Sequence, residues 1–405
     1  MGGKAIEIPL SAPDITDGEI ALVCEVLRTS HLSLGPKLPE FEEAFARYIG
    51  TRFAVAVNSG TSGLHLCVRS LGIGPGEAVI TTPFSFVASA NCLIFEGAVP
   101  VFVDIDPKTL NIDPAGIARY LSTECRKGRG TGLTADRKSG KTVRAILPVH
   151  LFGNPCDMDA INEIAREHHL AVIEDACESI GAELNGVKTG AFGHAGVFGF
   201  YPNKQMTTGE GGMIVTNDEQ TANLCKQLRN QGRAIGGGWL AHDMVGYNYR
   251  LSELSCALGL AQLGRIDEIL EKRARVAAVY TRLVDGAAAF PSLQPGAKRS
   301  WFVYVVLLPE GCPAGMRDRL LARLVDRGIG CSNYFPPIHL QPFYKKTFGY
   351  REGDFPVTES VSQRTVALPF HNNLREEEIS YVVGTFKDLL GDAAAGAQGL
   401  EAGVA

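Results

Sequence analysis

The alternation of short apolar runs with segments of helical spacing constrains the fold of this chain more than any other feature. Six apolar runs rich in β-branched residues are predicted to be buried strands, at 53–57, 78–81, 99–104, 145–149, 171–174 and 212–215. Between several of them, helical spacing predicts helices at 62–71 and 158–169, the second with Asp157 as its N-cap. This order predicts βαβ units and an α/β fold with a mostly parallel central sheet flanked by helices.

The pattern changes near residue 270. A long helical stretch over 252–285 is followed by a predicted strand at 300–308, a helix at 316–327, a proline-bounded turn at 334–337 and an amphipathic helix at 376–390. We therefore predict a large domain over 1–269, a smaller C-terminal α+β domain over 270–390 and a disordered tail over 391–405. The N-terminal arm, 1–35, is expected to pack on either domain.

Charge and cysteine content exclude several classes of function. The chain has 405 residues, with 39 Lys and Arg against 44 Asp and Glu, and this balance gives no overall attraction to nucleic acid or to an anionic membrane. No apolar run approaches the ~20 residues of a membrane span, and the N-terminus lacks the apolar core of a secretory signal. None of the ten cysteines forms a CxxC pair, so no metal site is predicted. We expect a cytoplasmic protein. The basic stretch 124–144 is expected to be a solvated loop or, alternatively, a binding patch.

Three segments each contain part of a possible binding site. Asn58-Ser59-Gly60-Thr61-Ser62 joins a predicted strand to a predicted helix, and unpaired N–H groups at such a junction favour a phosphate, although the same pattern is a common helix cap. Glu174 and Asp175 end a predicted strand, where ligands bind in α/β sheets, although such an acid can also serve only a salt bridge. Lys204 lies between apolar, Pro- and Gly-containing stretches.

The context of Lys204 suggests a nucleophilic amine, because desolvation lowers the pKa of a lysine and frees the neutral form. A structural lysine is the alternative. Together, a phosphate cradle, a strand-end acid and a lysine are the groups that hold pyridoxal phosphate (PLP). The phosphate requires N–H donors, the pyridine nitrogen requires an acid that keeps it protonated, and the aldehyde requires an amine.

The sequence also resembles a known family, the fold-type-I PLP sugar aminotransferases of the DegT/DnrJ/StrS group, over about residues 8 to 385. The resemblance rests on ordered motifs along the chain, which are Gly35-Pro36 with Phe41-Glu42, Asn58-Ser59-Gly60-Thr61, Gly72-Ile73-Gly74-Pro75-Gly76-Glu77, Phe86-Val87-Ala88, Pro100-Val101-Phe102-Val103-Asp104, Pro148-Val149-His150-Leu151-Phe152-Gly153, Glu174-Asp175-Ala176, Lys204 with Gly209-Glu210-Gly211-Gly212, Gly246-Tyr247-Asn248-Tyr249-Arg250 and Tyr334-Phe335-Pro336-Pro337-Ile338-His339.

The resemblance implies a role for particular residues. Lys204 would bind the PLP aldehyde as a Schiff base and then move the substrate proton, and Asp175 would pair with the pyridine nitrogen. The remaining roles implied are phosphate binding by Gly60, Thr61 and Ser62, ring stacking by Phe86, contact with the phosphate of the other subunit by Asn248, and substrate contacts by Arg250, Tyr334 and His339. A homodimer with shared active sites follows from the role of Asn248.

Two positions depart from the family pattern. Gly199 stands where the family commonly has a phosphate-binding serine, so Tyr201 or Asn203 is expected to compensate. Glu178 stands where the family often has Gln or His near the ring hydroxyl, so the protonation of the cofactor is expected to differ.

The resemblance implies a transaminase. L-glutamate would convert PLP to pyridoxamine phosphate, which would aminate a keto-sugar carried on a nucleoside diphosphate. Two alternatives are a PLP-dependent sugar dehydratase, whose known examples have His where Lys204 stands, and a non-enzymatic regulatory protein of the same fold.

Overall fold

A computed structural model describes residues 7–127, 134–236, 238 and 240–401. Its helices are α1 Asp17–Leu27, α2 Lys37–Ile49, α3 Gly60–Ser70, α4 Ala88–Ile94, α5 Pro114–Thr123, α6 Met158–His168, α7 Glu219–Arg229, α8 Glu253–Gly264, α9 Ile266–Val284, α10 Met316–Asp326, α11 Pro342–Phe348, α12 Pro356–Ser362 and α13 Glu376–Glu401. Its strands are β1 Phe53–Val57, β2 Glu77–Thr81, β3 Val99–Phe102, β4 Cys125–Lys127, β5 Thr134–Asp136, β6 Thr142–Leu147, β7 Ala171–Asp175, β8 Glu183–Leu184, β9 Val187–Lys188, β10 Ala195–Gly199, β11 Gly212–Thr216, β12 Ala297–Lys298, β13 Tyr304–Leu307 and β14 Thr365–Leu368.

The central sheet has the strand order β1-β11-β10-β7-β6-β2-β3. The pairs from β10 to β3 are parallel, whereas β11 is antiparallel to both of its neighbours. Because β11 is antiparallel to both β1 and β10, these two strands run in the same direction. Val57 at the end of β1 and Gly199 at the end of β10 both pair with Gly212. The carboxyl ends of β1, β2, β7 and β10 therefore meet at one edge of the sheet. This confirms the α/β fold with a mostly parallel sheet.

The sheet is buried on both faces because its strands are almost continuously apolar. One apolar cluster packs α3 and α7 against the sheet, and a second packs α2 and α8 against the opposite face. Asp157 caps α6 as predicted, its side chain accepting a hydrogen bond from the backbone N–H of Ala160.

A separate apolar cluster forms where α9, α10 and α13 pack on the antiparallel pair β13 and β14. The N-terminal arm contacts both parts of the molecule. Ile8 lies in this C-terminal cluster and exchanges backbone hydrogen bonds with Gly328 and Gly330, whereas α1 packs against α8. The boundary predicted at 269/270 lies within α9, and it stays a prediction.

Three local predictions differ from the structure. The stretch 252–285 is two helices, because Arg265 leaves helical geometry and its guanidinium binds Asp14 and Glu19. The basic stretch 124–144 contains β4 and β5, which extend the sheet beside β6, while 128–133 lie outside the described residues. Helix α13 continues to Glu401, so the tail predicted to be disordered from 391 begins as helix, and 402–405 lie outside the described residues.

Among the described residues, no helix has both the length and the apolar character required to cross a membrane.

Candidate active site

A cavity of about 440 Å³ opens at the edge where the carboxyl ends of β1, β2, β7 and β10 meet. Predicted site residues that line it are Gly60, Thr61, Phe86, Asp175, Glu178, Lys204 and Tyr334. These residues are far apart in sequence, and the strand order of the sheet brings them together. This is the position at which open α/β sheets bind ligands.

The N-terminus of α3 forms one end of the cavity. Ser59 caps the helix, and its Oγ accepts a hydrogen bond from the backbone N–H of Ser62 at 3.1 Å. Ser62 is buried and its N–H is already used by this cap, so Gly60 and Thr61 present the helix N-terminus to the cavity together with Ser59. A Cβ on Gly60 would lie 2.7 Å from Sγ of Cys177, so only glycine fits this close approach without movement.

Asp175 lies at the end of β7 and is 6% exposed. Its Oδ1 accepts a hydrogen bond from the backbone N–H of Cys177 at 3.1 Å, and its Oδ2 accepts one from Oγ of Ser89 at 2.9 Å. These two neutral donors orient the carboxylate and leave lone pairs for a ligand in the cavity. Asp175 is thus placed to accept a hydrogen bond from a protonated ring nitrogen.

Glu174 has a different role from its neighbour. It is fully buried and does not line the cavity. Its two oxygens accept backbone N–H groups from Gly190, Phe192 and Gly193, and Oε2 also lies 3.0 Å from Nε2 of His150. Glu174 therefore anchors the loop before β10. This is the structural role that the alternative interpretation of the sequence gave to such an acid.

Lys204 lies in the loop between β10 and β11, and its side chain is 16% exposed. Its Nζ lies 3.7 Å from Oε1 of Glu178 and 3.9 Å from the centroid of the Phe302 ring. The amine therefore contacts a carboxylate and an aromatic face, rather than the purely apolar surroundings that the sequence interpretation assumed. The amine nevertheless faces the cavity that Asp175 lines.

Glu178 is buried between the cavity and the loop that precedes α6. Burial raises the pKa of its carboxyl above the usual value, and the nearby Lys204 ammonium opposes this shift. Its Oε2 accepts a hydrogen bond from the backbone N–H of Phe152 at 2.9 Å. Glu178 thus provides a carboxyl that can hold or release a proton beside the amine.

The open side of the cavity is aromatic. Phe86 is 61% exposed there, and Tyr334 lies opposite, where burial raises the pKa of its hydroxyl. Both side chains expected to replace the missing donor at Gly199, Tyr201 and Asn203, line the cavity. Tyr201 is largely exposed, whereas Oδ1 of Asn203 is buried without a hydrogen-bond partner among the described residues, and the compensation stays a prediction.

Besides Ser62, three predicted site residues do not line the cavity of their own chain. Asn248 is exposed beyond the end of β1, where its backbone oxygen accepts a hydrogen bond from Asn58. Arg250 donates to Oδ1 of Asn230 at 3.0 Å. His339 is fully buried, and its Nε2 lies 2.9 Å from Oε1 of Glu359, so this placement does not support a substrate contact.

The structure adds residues that sequence reasoning missed. Ser89 orients Asp175, Ser59 lines the cavity, and Phe302 contacts the lysine amine. A signal existed only for Ser59, which belongs to the strand–helix junction already singled out. Ser89 and Phe302 are 115 and 98 residues from Lys204 in sequence, and no motif marks them.

The groups around the cavity fit PLP. The N-terminus of α3 suits its phosphate, the Asp175 carboxylate suits its pyridine nitrogen, and the Lys204 amine suits its aldehyde. The close approach that Gly60 permits brings the phosphate end of the cavity next to the end of β10.

Comparison with known proteins agrees with this chemistry. The sequence model of the DegT/DnrJ/EryC1/StrS aminotransferase family matches residues 13–387. GDP-perosamine synthase of Caulobacter vibrioides is 37% identical over 95% of this chain and 98% of its own, and the spore coat polysaccharide biosynthesis protein SpsC of Bacillus subtilis is 35% identical over 95% and 97%. The PLP form of a putative sugar aminotransferase from Streptococcus pneumoniae superposes with a TM-score of 0.87 at 25% identity, covering 96% of this chain and 100% of its own. The chain therefore belongs to the DegT/DnrJ/EryC1/StrS aminotransferase family and is a PLP-dependent aminotransferase.

Proposed function

We propose that this enzyme transfers the amino group of L-glutamate to a keto-sugar carried on a nucleoside diphosphate. The observation that carries the proposal is the convergence of the α3 N-terminus, Asp175 and Lys204 on one cavity of about 440 Å³. The similarity to a GDP-perosamine synthase and to a spore coat polysaccharide biosynthesis protein supports a nucleotide-linked sugar as the acceptor. We expect the reaction to take place in the cytoplasm.

Each residue of the cavity would contribute a separate task. When bound, PLP supplies a ring that accepts electrons from the substrate carbon. Asp175, oriented by Ser89, would hold a proton at the ring nitrogen, and Gly60 and Thr61 would bind the phosphate. Lys204 would hold the aldehyde and then move a proton at the substrate carbon, with Glu178 beside its Nζ as a neighbouring proton acceptor.

The role of Lys204 can be tested by trapping. Borohydride reduction of the purified protein with added PLP should attach the cofactor covalently to Lys204, as read by peptide mass spectrometry. Lys204→Ala should form no covalent adduct. Its turnover should fall by at least about a thousandfold, because no other amine would move the proton. Lys188 is the matched control, since it also lies near an aromatic ring and a glutamate but away from the cavity, and Lys188→Ala should behave as wild type.

The same preparation tests the donor and the acceptor. Glutamate should be converted to 2-oxoglutarate with formation of pyridoxamine phosphate, and, once 2-oxoglutarate has been removed, only a nucleotide-linked keto-sugar should restore the PLP spectrum. Release of the amino group as ammonia, with no aminated sugar formed although glutamate is still converted to 2-oxoglutarate, would instead favour the dehydratase. An active Lys204→Ala enzyme would contradict the transaminase altogether.

We also propose that the enzyme is a homodimer with shared active sites. An apolar groove of about 720 Å³ adjoins the cavity and shares Ser85, Phe86 and Phe335 with it. Phe86, Phe95 and Phe343 are more than half exposed along this groove, and exposed aromatic clusters of this kind are typical of protein interfaces. Asn248 is exposed and does not line the cavity of its own chain, which leaves it available for a contact with the phosphate of a second copy.

Hybrid dimers test this sharing. Asn248→Ala should weaken cofactor retention by about tenfold, because one charge-assisted hydrogen bond is lost. After subunit exchange, a mixture of Asn248→Ala with Lys204→Ala should recover up to about a quarter of the wild-type turnover, because one of the two sites in a hybrid is intact. Mass spectrometry of differently tagged subunits verifies the exchange, and no recovery after verified exchange would contradict the contact.

A further inference from the structure

A buried aromatic ring lies directly against the amine of Lys204. Phe302 is 2% exposed and lies just before β13, nearly one hundred residues after the lysine in sequence. The centroid of its ring is 3.9 Å from Nζ, within the range of a cation–π contact. Oε1 of Glu178 lies 3.7 Å from the same Nζ. The amine is therefore held between a carboxylate and a ring face.

The segment that carries Phe302 is fixed by a buried guanidinium. Arg273 on α9 donates from Nε to the carbonyl oxygen of Trp301 and from Nη2 to that of Phe302, both at 2.6 Å, and from Nη1 to Oδ1 of Asn372 at 3.0 Å. Burial lowers the pKa of Arg273 to about 9, with Asp14 opposing the shift. A charge is costly to bury, so its placement against two successive carbonyls indicates a specific positioning role.

The same segment is also tied to the lysine loop. Gln205, which follows Lys204 directly, donates from Nε2 to Oγ of Ser300 at 3.1 Å and to the carbonyl oxygen of Glu178 at 2.7 Å. Oγ of Ser300 in turn donates to the carbonyl oxygen of Ile180. The ring, the lysine loop and Glu178 are therefore linked by hydrogen bonds and cannot shift independently.

We propose that Phe302, fixed by Arg273, is a positioning residue that holds the free ammonium of Lys204 against Glu178 whenever the amine is not bound to the cofactor. The inference rests on the proposed function, in which Lys204 alternates between bound and free forms. The ring face attracts the ammonium by a cation–π interaction. Loss of the face therefore removes one of the two contacts that hold Nζ and releases it from its position beside Glu178.

Acylation of the protein without cofactor measures this release, because an amine held between a carboxylate and a ring face is less available to acetic anhydride than a released amine. In Phe302→Leu, the rate of acetylation of Lys204 relative to Lys188 should rise about two- to fivefold at neutral pH. An effect of this size is expected from the loss of one cation–π contact. Phe302→Tyr keeps the ring face and should retain the wild-type ratio. Phe302→Met removes the ring with a smaller loss of volume, so it tests the same point if Phe302→Leu does not fold.

Access to the cavity has its own control. Cys177 lines the same cavity, so its alkylation by iodoacetamide reports whether a variant merely opens the site. A rise in Cys177 alkylation that parallels the rise at Lys204 would overturn the proposal, as would an unchanged ratio of Lys204 to Lys188 in both Phe302→Leu and Phe302→Met.

Arg273 is tested by Arg273→Lys, which keeps the charge but cannot bind both carbonyls in a fork. The acetylation ratio should rise in the same direction as in Phe302→Leu, and a wild-type ratio would remove Arg273 from the proposal. The assay needs no cofactor, so it is separate from borohydride trapping. If trapping labels Lys204 while the ratio does not change, the inference fails and the proposed function stands. If trapping fails, the proposed function fails whatever the ratio.

Discussion

The two sides of the end of β7 hold adjacent carboxylates in opposite environments. On one side, Glu174 accepts three backbone N–H groups and faces His150, so every strong acceptor position of the carboxylate is occupied within the chain. On the other side, Asp175 accepts one backbone N–H and the hydroxyl of Ser89, and it lines the cavity. Strand alternation alone sends the two side chains to different faces of the sheet.

The difference shows how the same chemical group serves structure or chemistry. A buried carboxylate whose lone pairs are all satisfied has its charge balanced by the chain and has no capacity left for a ligand. A buried carboxylate with unused lone pairs is balanced only when a cationic or N–H donor enters the site. The protonated pyridine nitrogen of PLP is such a donor, and it approaches only the cavity side of β7.

Asp175→Asn tests the comparison at the carboxylate that lines the cavity. Turnover should fall by about two orders of magnitude or more, because a neutral amide cannot keep the ring nitrogen protonated. The midpoint of thermal unfolding should change little, since the Asn Oδ1 can still accept the N–H of Cys177. Steady-state turnover with glutamate and circular dichroism are the measurements, and near-normal turnover would remove this role from Asp175.

Glu174→Gln is the matched control, with the opposite expected result. Its new amide group would face the N–H of Gly190 and Nε2–H of His150, whose Nδ1 already accepts the N–H of Cys156. The free energy of unfolding should fall by about 2–4 kcal/mol, because charged hydrogen bonds are lost and buried donors are left without acceptors. The folded fraction should retain most of its turnover. If Glu174→Gln lost turnover while remaining stable, the assignment of the two acids would be wrong.

Sequence reasoning succeeds where the relevant physics is local. The strand at Phe53–Val57 and the cap at Asp157 were predicted from apolar runs and from capping chemistry, because neighbouring residues determine both. The α3 junction, Asp175 and Lys204 are grouped in the sequence by the chemistry that PLP requires, and the structure brings all three to one cavity, while their roles stay predictions.

Sequence reasoning fails where the deciding contact is distant in the chain. Nothing in the local sequence distinguishes Glu174 from Asp175, because the N–H groups that satisfy Glu174 come from residues 190 to 193. The burial of His339 depends on Glu359, and the contact of Phe302 with Lys204 depends on how the segment before β13 packs against the loops that follow β2 and β6. Long-range packing decides these cases, and a single sequence does not encode it in any short pattern.

The third carboxylate, Glu178, lies between these extremes and gives the smallest effect. Burial raises its pKa above the usual value near 4.5, so the folded state binds more protons than the unfolded state. Its contribution to stability is therefore fully present below about pH 4.5 and is lost as pH rises through the folded pKa.

In Glu178→Gln this loss is absent, so the free energy of unfolding of the variant relative to wild type should increase as pH rises from 5 to 8 in urea titrations without cofactor. Glu183→Gln is the matched control, because Oε1 of Glu183 lies at the same 3.7 Å from Nζ of Lys188 but outside the cavity, and it shows whether any pair of glutamate and lysine gives the same pH dependence. A flat difference for Glu178→Gln would mean that Lys204 balances the charge of Glu178 fully, which would place Glu178 with Glu174 rather than with Asp175.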